Sequence, residues 1–124
     1  MRIDQAQAYV ESLLERLLKV EKVWPDPDGD YPMLYGHVPY YVRVIGRPDA
    51  VVRVFSVALD QVEATPDLLG ELNELNATST FTRAFHAHGQ VLVVTEVLAD
   101  SLDPAGFGNA CECVGRVAAD VAAH

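Results

Sequence analysis

Basic residues are scarce in this chain of 124 residues. Nine Lys and Arg, only two of them Lys, stand against eighteen Asp and Glu. The net charge of −9 argues against a nucleic-acid partner, because phosphate contacts need a basic patch, and against anionic lipid for the same reason. Long apolar runs are missing too. None approaches the roughly 18 residues that a membrane helix needs. The start of the chain lacks a basic block followed by an apolar one, so no signal peptide is expected. Only two cysteines occur, Cys111 and Cys113. They lie two apart in a predicted helix, where their side chains diverge by about 200° and cannot bridge each other. Free thiols fit a reducing, cytoplasmic setting. Gly-rich phosphate loops, nucleophile elbows and two-residue-spaced Cys pairs are absent.

What is present is enough apolar material for one core, since half of the residues are hydrophobic. No repeat, linker or low-complexity segment interrupts residues 1–124, so a single domain is expected. Residues 3–20 carry apolar side chains at helical spacing, including Ala6, Val10, Leu13, Leu14 and Leu17, and Trp24-Pro25 ends any helix. Segments 31–37, 39–45 and 51–61 are rich in Val, Tyr, Ile and Phe and read as strands. The 46–50 cluster, GRPDA, is the turn between the second and third. Thr65-Pro66 starts a helix as N-cap and N1. Its stripe is Leu68, Leu69, Leu72 and Leu75, with Asn76 as the expected stop. Strands at 80–87 and 90–98 follow, joined by a two-residue turn at His88-Gly89. Asp103-Pro104 opens the last helix, with Phe107, Ala110, Cys111, Val114, Val117, Ala118 and Val121 facing the core. Cys113 falls on another face, and the glycines of "GFGNAC" are expected to allow close helix packing. The order α-β-β-β-α-β-β-α, with short turns between neighbouring strands, predicts an α+β fold on a five-stranded antiparallel sheet. Leu13, Leu17, Val54, Leu72, Val93 and Val114 are expected to be buried.

Three stretches invite a chemical reading, and each has a plainer one. Asp26, Asp28 and Asp30 alternate around Gly29. A helix-flanked calcium loop needs Gly at position 6 and a bidentate acid at position 12, and counting from Asp26 those positions hold Tyr31 and His37. The stretch reads as a solvated turn into a strand. His86 and His88 would share a strand side, but no third ligand accompanies them and His88 falls in the turn. Cys111 reads as a small core residue without a partnered histidine. No metal, no cofactor and no catalytic residue is expected, and the chain is not expected to be an enzyme.

The segments "DGDYPMLYGHVPYYVRV", "LLGELNELNA" and "GQVLVVTEVLADSLDPAGFGNACECVGRVA" resemble the YbjN-like family, within the wider fold of type III secretion chaperones. The repeated Leu-Asn at Leu72-Asn73 and Leu75-Asn76, between a three-strand and a two-strand unit, carries most of the likeness. The resemblance implies a small, acidic, cytosolic and often dimeric protein that holds partly unfolded client segments. It brings no catalytic residues with it.

Pairing Ile45 with Val51 across the 46–50 turn sets Arg43 opposite Arg53 and Tyr41 opposite Phe55. Tyr40, Val42, Val44, Val52, Val54 and Ser56 then form the face that carries the helices. The other face holds Tyr41, Ile45, Phe55, Val57 and Leu59 with the two arginines, and Phe81, Phe85 and Leu92 continue it. Three helices cover one face of such a sheet well but not both, so a homodimer is expected through this face or the Leu68 to Leu75 helix. Tyr41, Arg43, Arg53, Phe55, Val57 and Phe85 are the candidate peptide- or partner-binding residues, on a sheet face or beside an edge open to an added strand. The arginines also have acids of their own chain within sequence reach. Three readings remain: a chaperone or adaptor holding a client protein or peptide, a regulatory module binding one folded partner, or a small-molecule binder or enzyme.

Overall fold

The computed structural model describes residues 1–46 and 48–123. Arg47 of the 46–50 turn cluster and the terminal His124 lie outside the described residues. Among the described residues the elements are α1 (Ile3–Leu18), β1 (Tyr31–Tyr35), β2 (Val38–Ile45), β3 (Val51–Leu59), α2 (Pro66–Thr78), β4 (Arg83–Ala87), β5 (Gln90–Leu98), a short 3₁₀ turn (Ala99–Ser101) and α3 (Pro104–Ala122). The five strands form one antiparallel sheet in the order β1-β2-β3-β5-β4. The fold is α+β in the expected element order.

The register follows from turn chemistry. His88 and Gly89 both take positive φ, 52° and 77°, which is the two-residue turn whose twist matches antiparallel strands. Ala87 and Gln90 close it. Across the 46–50 turn, Ile45 pairs with Val51, Arg43 with Arg53 and Tyr41 with Phe55. Between β2 and β3 the pairing stops short of Pro39, which has no N–H to offer. The buried Ser56 hydroxyl instead donates to the Pro39 carbonyl at 2.8 Å.

All three helices gather on one side. The buried stripe of α3 runs from Phe107 through Cys111 and Val114 to Ala118 and joins Tyr40, Val42, Val52, Val54, Val91 and Val93 in a single core. The thiol of Cys113 is buried on the flank of that helix, outside the core cluster. α1 adds Ala6, Val10, Leu13 and Leu14. α2 lies against β4 and buries only Leu72. Thr65 and Asp103 cap α2 and α3, each with Pro in the first turn, as the sequence signals indicate.

Six local expectations change. α1 ends at Leu18 because Lys19 adopts a left-handed conformation, φ 56°, well before Trp24-Pro25. Leu17, expected in the core, is 46% exposed, because the last turn of α1 overhangs the start of α3 and leaves a recess beside Pro104 and Phe107. α2 runs on to Thr78, past Asn76. β4 begins at Arg83, since Phe81 takes φ 70° and breaks the two-residue alternation that would have set it beside Phe85. A register shift between Val57 and Leu59 turns Leu59 to the core side, where it packs against the buried cluster; such a bulge reverses the facing of everything beyond it. Close packing at a glycine occurs at Gly115, where an added Cβ would collide with the Tyr35 ring, and not at Gly106 or Gly108.

Two truncations test this packing. Leu14→Ala should cost about 2–5 kcal/mol, the usual loss for a buried leucine, whereas Leu17→Ala should cost under about 1 kcal/mol. Denaturant melts that rank them equally would contradict the packing of α1.

Candidate functional site

Alternation along the strands leaves a second sheet face that no helix covers. β2 contributes Tyr41 and Arg43 to it, β3 Arg53, Phe55 and Val57, β5 Leu92, Val94 and Glu96, and β4 Arg83 and Phe85, all by the pairing register. The six residues expected to bind a partner therefore share one face. Their side chains shelter one another. The Tyr41 and Phe55 rings lie 5.5 Å apart at 31°. The Arg43 guanidinium stands 5.2 Å over the Phe55 ring and that of Arg83 5.6 Å over Phe85, at the distance of a cation–π contact. Val94, flanked by Phe55 and Arg83, is only 4% exposed although it belongs to this outer face.

The opposed arginines are pulled apart by acids of the same chain. Arg43 makes a two-pronged bond to the buried Asp30, at 2.5 and 2.8 Å. Arg53 donates to Glu96 at 2.9 and 3.1 Å, and Arg83 reaches the other oxygen of Glu96 at 2.5 Å. Burial by itself would raise the Glu96 pKa, but the bonds from Arg83 and Arg53 outweigh it and hold the carboxyl below its ordinary value. The face thus combines aromatic and aliphatic surface with three guanidiniums, two of them over aromatic rings.

The aspartate stretch supports this arrangement. The Asp26 carboxylate accepts the N–H groups of Asp28 and Asp30, at 3.0 and 2.9 Å, and Gly29 takes φ 85°. Turn geometry delivers Asp30 to Arg43. His86 bonds the Val62 carbonyl at 2.8 Å through Nε2, while His88 sits exposed in its turn. Among the described residues no group of three potential ligands converges. Burial pushes the Cys111 thiol up to about 11, against the opposing pull of its Tyr40 hydrogen bond. A thiol of that kind stays protonated and unreactive near neutral pH.

The two sheet edges differ. On β4 the Asn76 side chain donates to the Ala84 carbonyl and accepts from the Ala84 N–H, both at 2.8 Å. An amide from α2 thereby occupies the middle of that edge. Among the described residues no hydrogen bond from another element reaches the outer edge of β1. Beside β1 a groove opens between it and the end of α1, lined by Leu14, Leu18, Lys22, Val23, Trp24, Tyr31, Pro32 and Met33. Trp24 is 73% exposed there and Leu34, on the adjoining outer face, 71%. This groove was missed in the sequence, where Trp24-Pro25 reads as a helix terminator. The available signal was Val20, Val23 and Trp24, three apolar residues set just past an amphipathic helix.

A bare apolar sheet face beside a free edge is a geometry for holding polypeptide. The chain belongs to the family of type III secretion system (YopN, CesT) and YbjN peptide-binding chaperones described as TY-Chap1, whose family model matches residues 4–124. It is thus a peptide-binding chaperone by family, and the family consists of chaperones rather than enzymes. A search of curated protein sequences finds no match. Among solved structures, the fold is shared with the HopA1-SchA chaperone-effector complex at TM-score 0.72 and 9% identity, over 95% of this chain and 93% of the other. It is shared with SycH, a type III secretion chaperone of Yersinia pestis solved with a fragment of YscM2, at 0.62 and 12%, over 90% and 98%. YbjN of E. coli matches at 0.65 and 14%, over 95% and 92%.

The Glu96 network has a pH signature. A carboxyl whose folded pKa is depressed stabilises the fold above its unfolded pKa, and that contribution is lost as pH falls through the folded value. At pH 7 the wild type should exceed Glu96→Gln in stability by about 1 kcal/mol. The gap should shrink below the unfolded glutamate pKa of about 4.3 and close in stronger acid. Melts that show a constant gap from pH 7 to acid would contradict the assignment.

Proposed function

We propose that this protein is a non-enzymatic chaperone, acting in the cytoplasm, that holds an extended client segment along the outer edge of β1. The client pairs with that edge as an added strand and sets apolar side chains into the groove between α1 and β1, against Leu18 and Trp24. It then crosses onto the near half of the outer face, where Tyr41, Phe55 and Arg43 meet it. The observation that carries this reading is the asymmetry of the sheet. The β4 edge is occupied by Asn76, whereas β1 is flanked by the strongly exposed Trp24 and Leu34. Main-chain pairing gives such an edge affinity without demanding one sequence, as suits a holder of unfolded chain.

The far half of the outer face, around Arg53, Val57 and Phe85, is assigned to a second copy. A two-fold pair is the commonest way for a soluble chain to cover such a surface. Membership of a peptide-binding family supports a peptide client, and the shared fold of the HopA1-SchA chaperone-effector complex is consistent with one.

The test begins with 15-residue peptides selected from a displayed library against the folded protein. A selected peptide should slow amide exchange in β1 and leave β4 unchanged. Trp24→Ala should weaken its binding about tenfold without lowering the melting temperature, since the ring is exposed in the free chain. Protection confined to β4, or binding indifferent to Trp24, would defeat the assignment. Separately, Phe55→Glu should shift the protein toward monomer in sedimentation, and a wild type that stays monomeric at high concentration would remove the second copy.

A further inference from the structure

The outer edge of β1 offers fewer bonding groups than its length implies. Pro39 lies opposite Leu34 in the β1–β2 pairing, and its carbonyl points the other way, to the Ser56 hydroxyl. In an antiparallel ladder, pairs that exchange hydrogen bonds alternate with pairs that do not. Leu34 with Pro39 is therefore a pair that does not, and so is Pro32 with Tyr41. The main-chain groups of Tyr31, Met33 and Tyr35 turn inward to β2, and those of Pro32 and Leu34 turn out to the free edge. Pro32 has no N–H to present there. Asp30 would come next on the same side, but its groups are taken. The Asp26 N–H donates to the Asp30 carbonyl at 2.7 Å, and the Asp26 carboxylate accepts the Asp30 N–H at 2.9 Å. At the other end Gly36, with φ 59°, has left the strand for the turn to β2. Among the described residues, that leaves the Pro32 carbonyl and the N–H and carbonyl of Leu34 without a partner from another element.

We infer that this edge is a clip of three hydrogen bonds, which takes two residues of an extended peptide, one residue apart, each with a free main-chain N–H. The inference rests on the client reading above and sets the length and chemistry of the added strand. In an antiparallel client, one residue exchanges both bonds with Leu34, and the residue two further on donates to the Pro32 carbonyl. In a parallel client, one residue donates to Pro32 and accepts from Leu34, and the residue two further on donates to Leu34. Either way the client gives two N–H groups and one carbonyl. Proline at either position is excluded, whatever the side chains. A second copy fits this edge less well. Two β1 edges paired about a two-fold axis make at most two such bonds in any register, since neither Pro32 donates and both Asp30 residues are already bonded. Pro32 and Asp26 thus leave room for a short client strand while blunting the edge against pairing with its own kind.

The first test needs no client. In amide exchange of the free, full chain, the Leu34 N–H should be protected at least about tenfold less than those of Met33 and Tyr35. The reverse order would put the outward groups on the wrong residues and overturn the proposal. A peptide selected as above is then remade with each amide in turn replaced by an ester, which removes one N–H. Two positions, two apart, should each weaken binding by about threefold to tenfold. No other position of the same alternation should matter by more than about twofold. In Pro32→Ala the new amide at position 32 should become protected when the peptide binds, together with that of Leu34. Three or more sensitive positions in alternation would overturn the clip and leave the client site standing. So would a position-32 amide that stays unprotected while Leu34 is slowed. If the peptide slows no amide of β1 and no ester weakens it, the strand pairing itself fails, and the clip with it.

Discussion

The contact on which the rest depends is that of α3 with the inner face of the sheet. It crosses β1, β2, β3 and β5 and buries Phe107, Ala110, Cys111, Val114, Val117 and Ala118. Gly115 lets it approach the Tyr35 ring more closely than any side chain would permit. With that seat taken, α1 can only pack beside it, and α2 is left to the β4 edge. One face of the sheet is therefore fully covered and the other is bare.

A bare face with this many large apolar groups would be a liability if it were only apolar. The arginines change its character. Asp30 and Glu96 bind three guanidiniums, and those of Arg43 and Arg83 lie over Phe55 and Phe85. The face is wettable while its aromatic surface stays within reach of a partner. The distribution of charge follows the same division. Arginines cluster on the outer face, whereas the helix and loops from Asp60 to Glu74 carry acid alone. One small molecule thus presents two surfaces of unlike electrostatic character.

Much of the architecture was legible because local chemistry and global packing agree. Thr65-Pro66 and Asp103-Pro104 mark helix starts, His88-Gly89 a hairpin, and alternation sorted Tyr41, Arg43, Arg53 and Phe55 onto one side. The misreadings arose where backbone conformation departs from its period. Lys19 and Phe81 in left-handed conformations, and the bulge before Leu59, each shift the residues next in the chain, and no residue type at those places announces it.

The amino-acid sequence by itself determined the element order, the pairing of Ile45 with Val51 and of Ala87 with Gln90, and the core stripe of α3. Those depend on periodicity and on residues with strong turn preferences, which act within a few positions. Only the tertiary structure decided which edge of the sheet is closed by Asn76 and which stays free, that Trp24 lines a groove, and that Asp30 and Glu96 hold the arginines. Each of these joins residues of different elements or loops, beyond the reach of turn and helix periodicity, and such a contact exists only once the core has set those segments side by side.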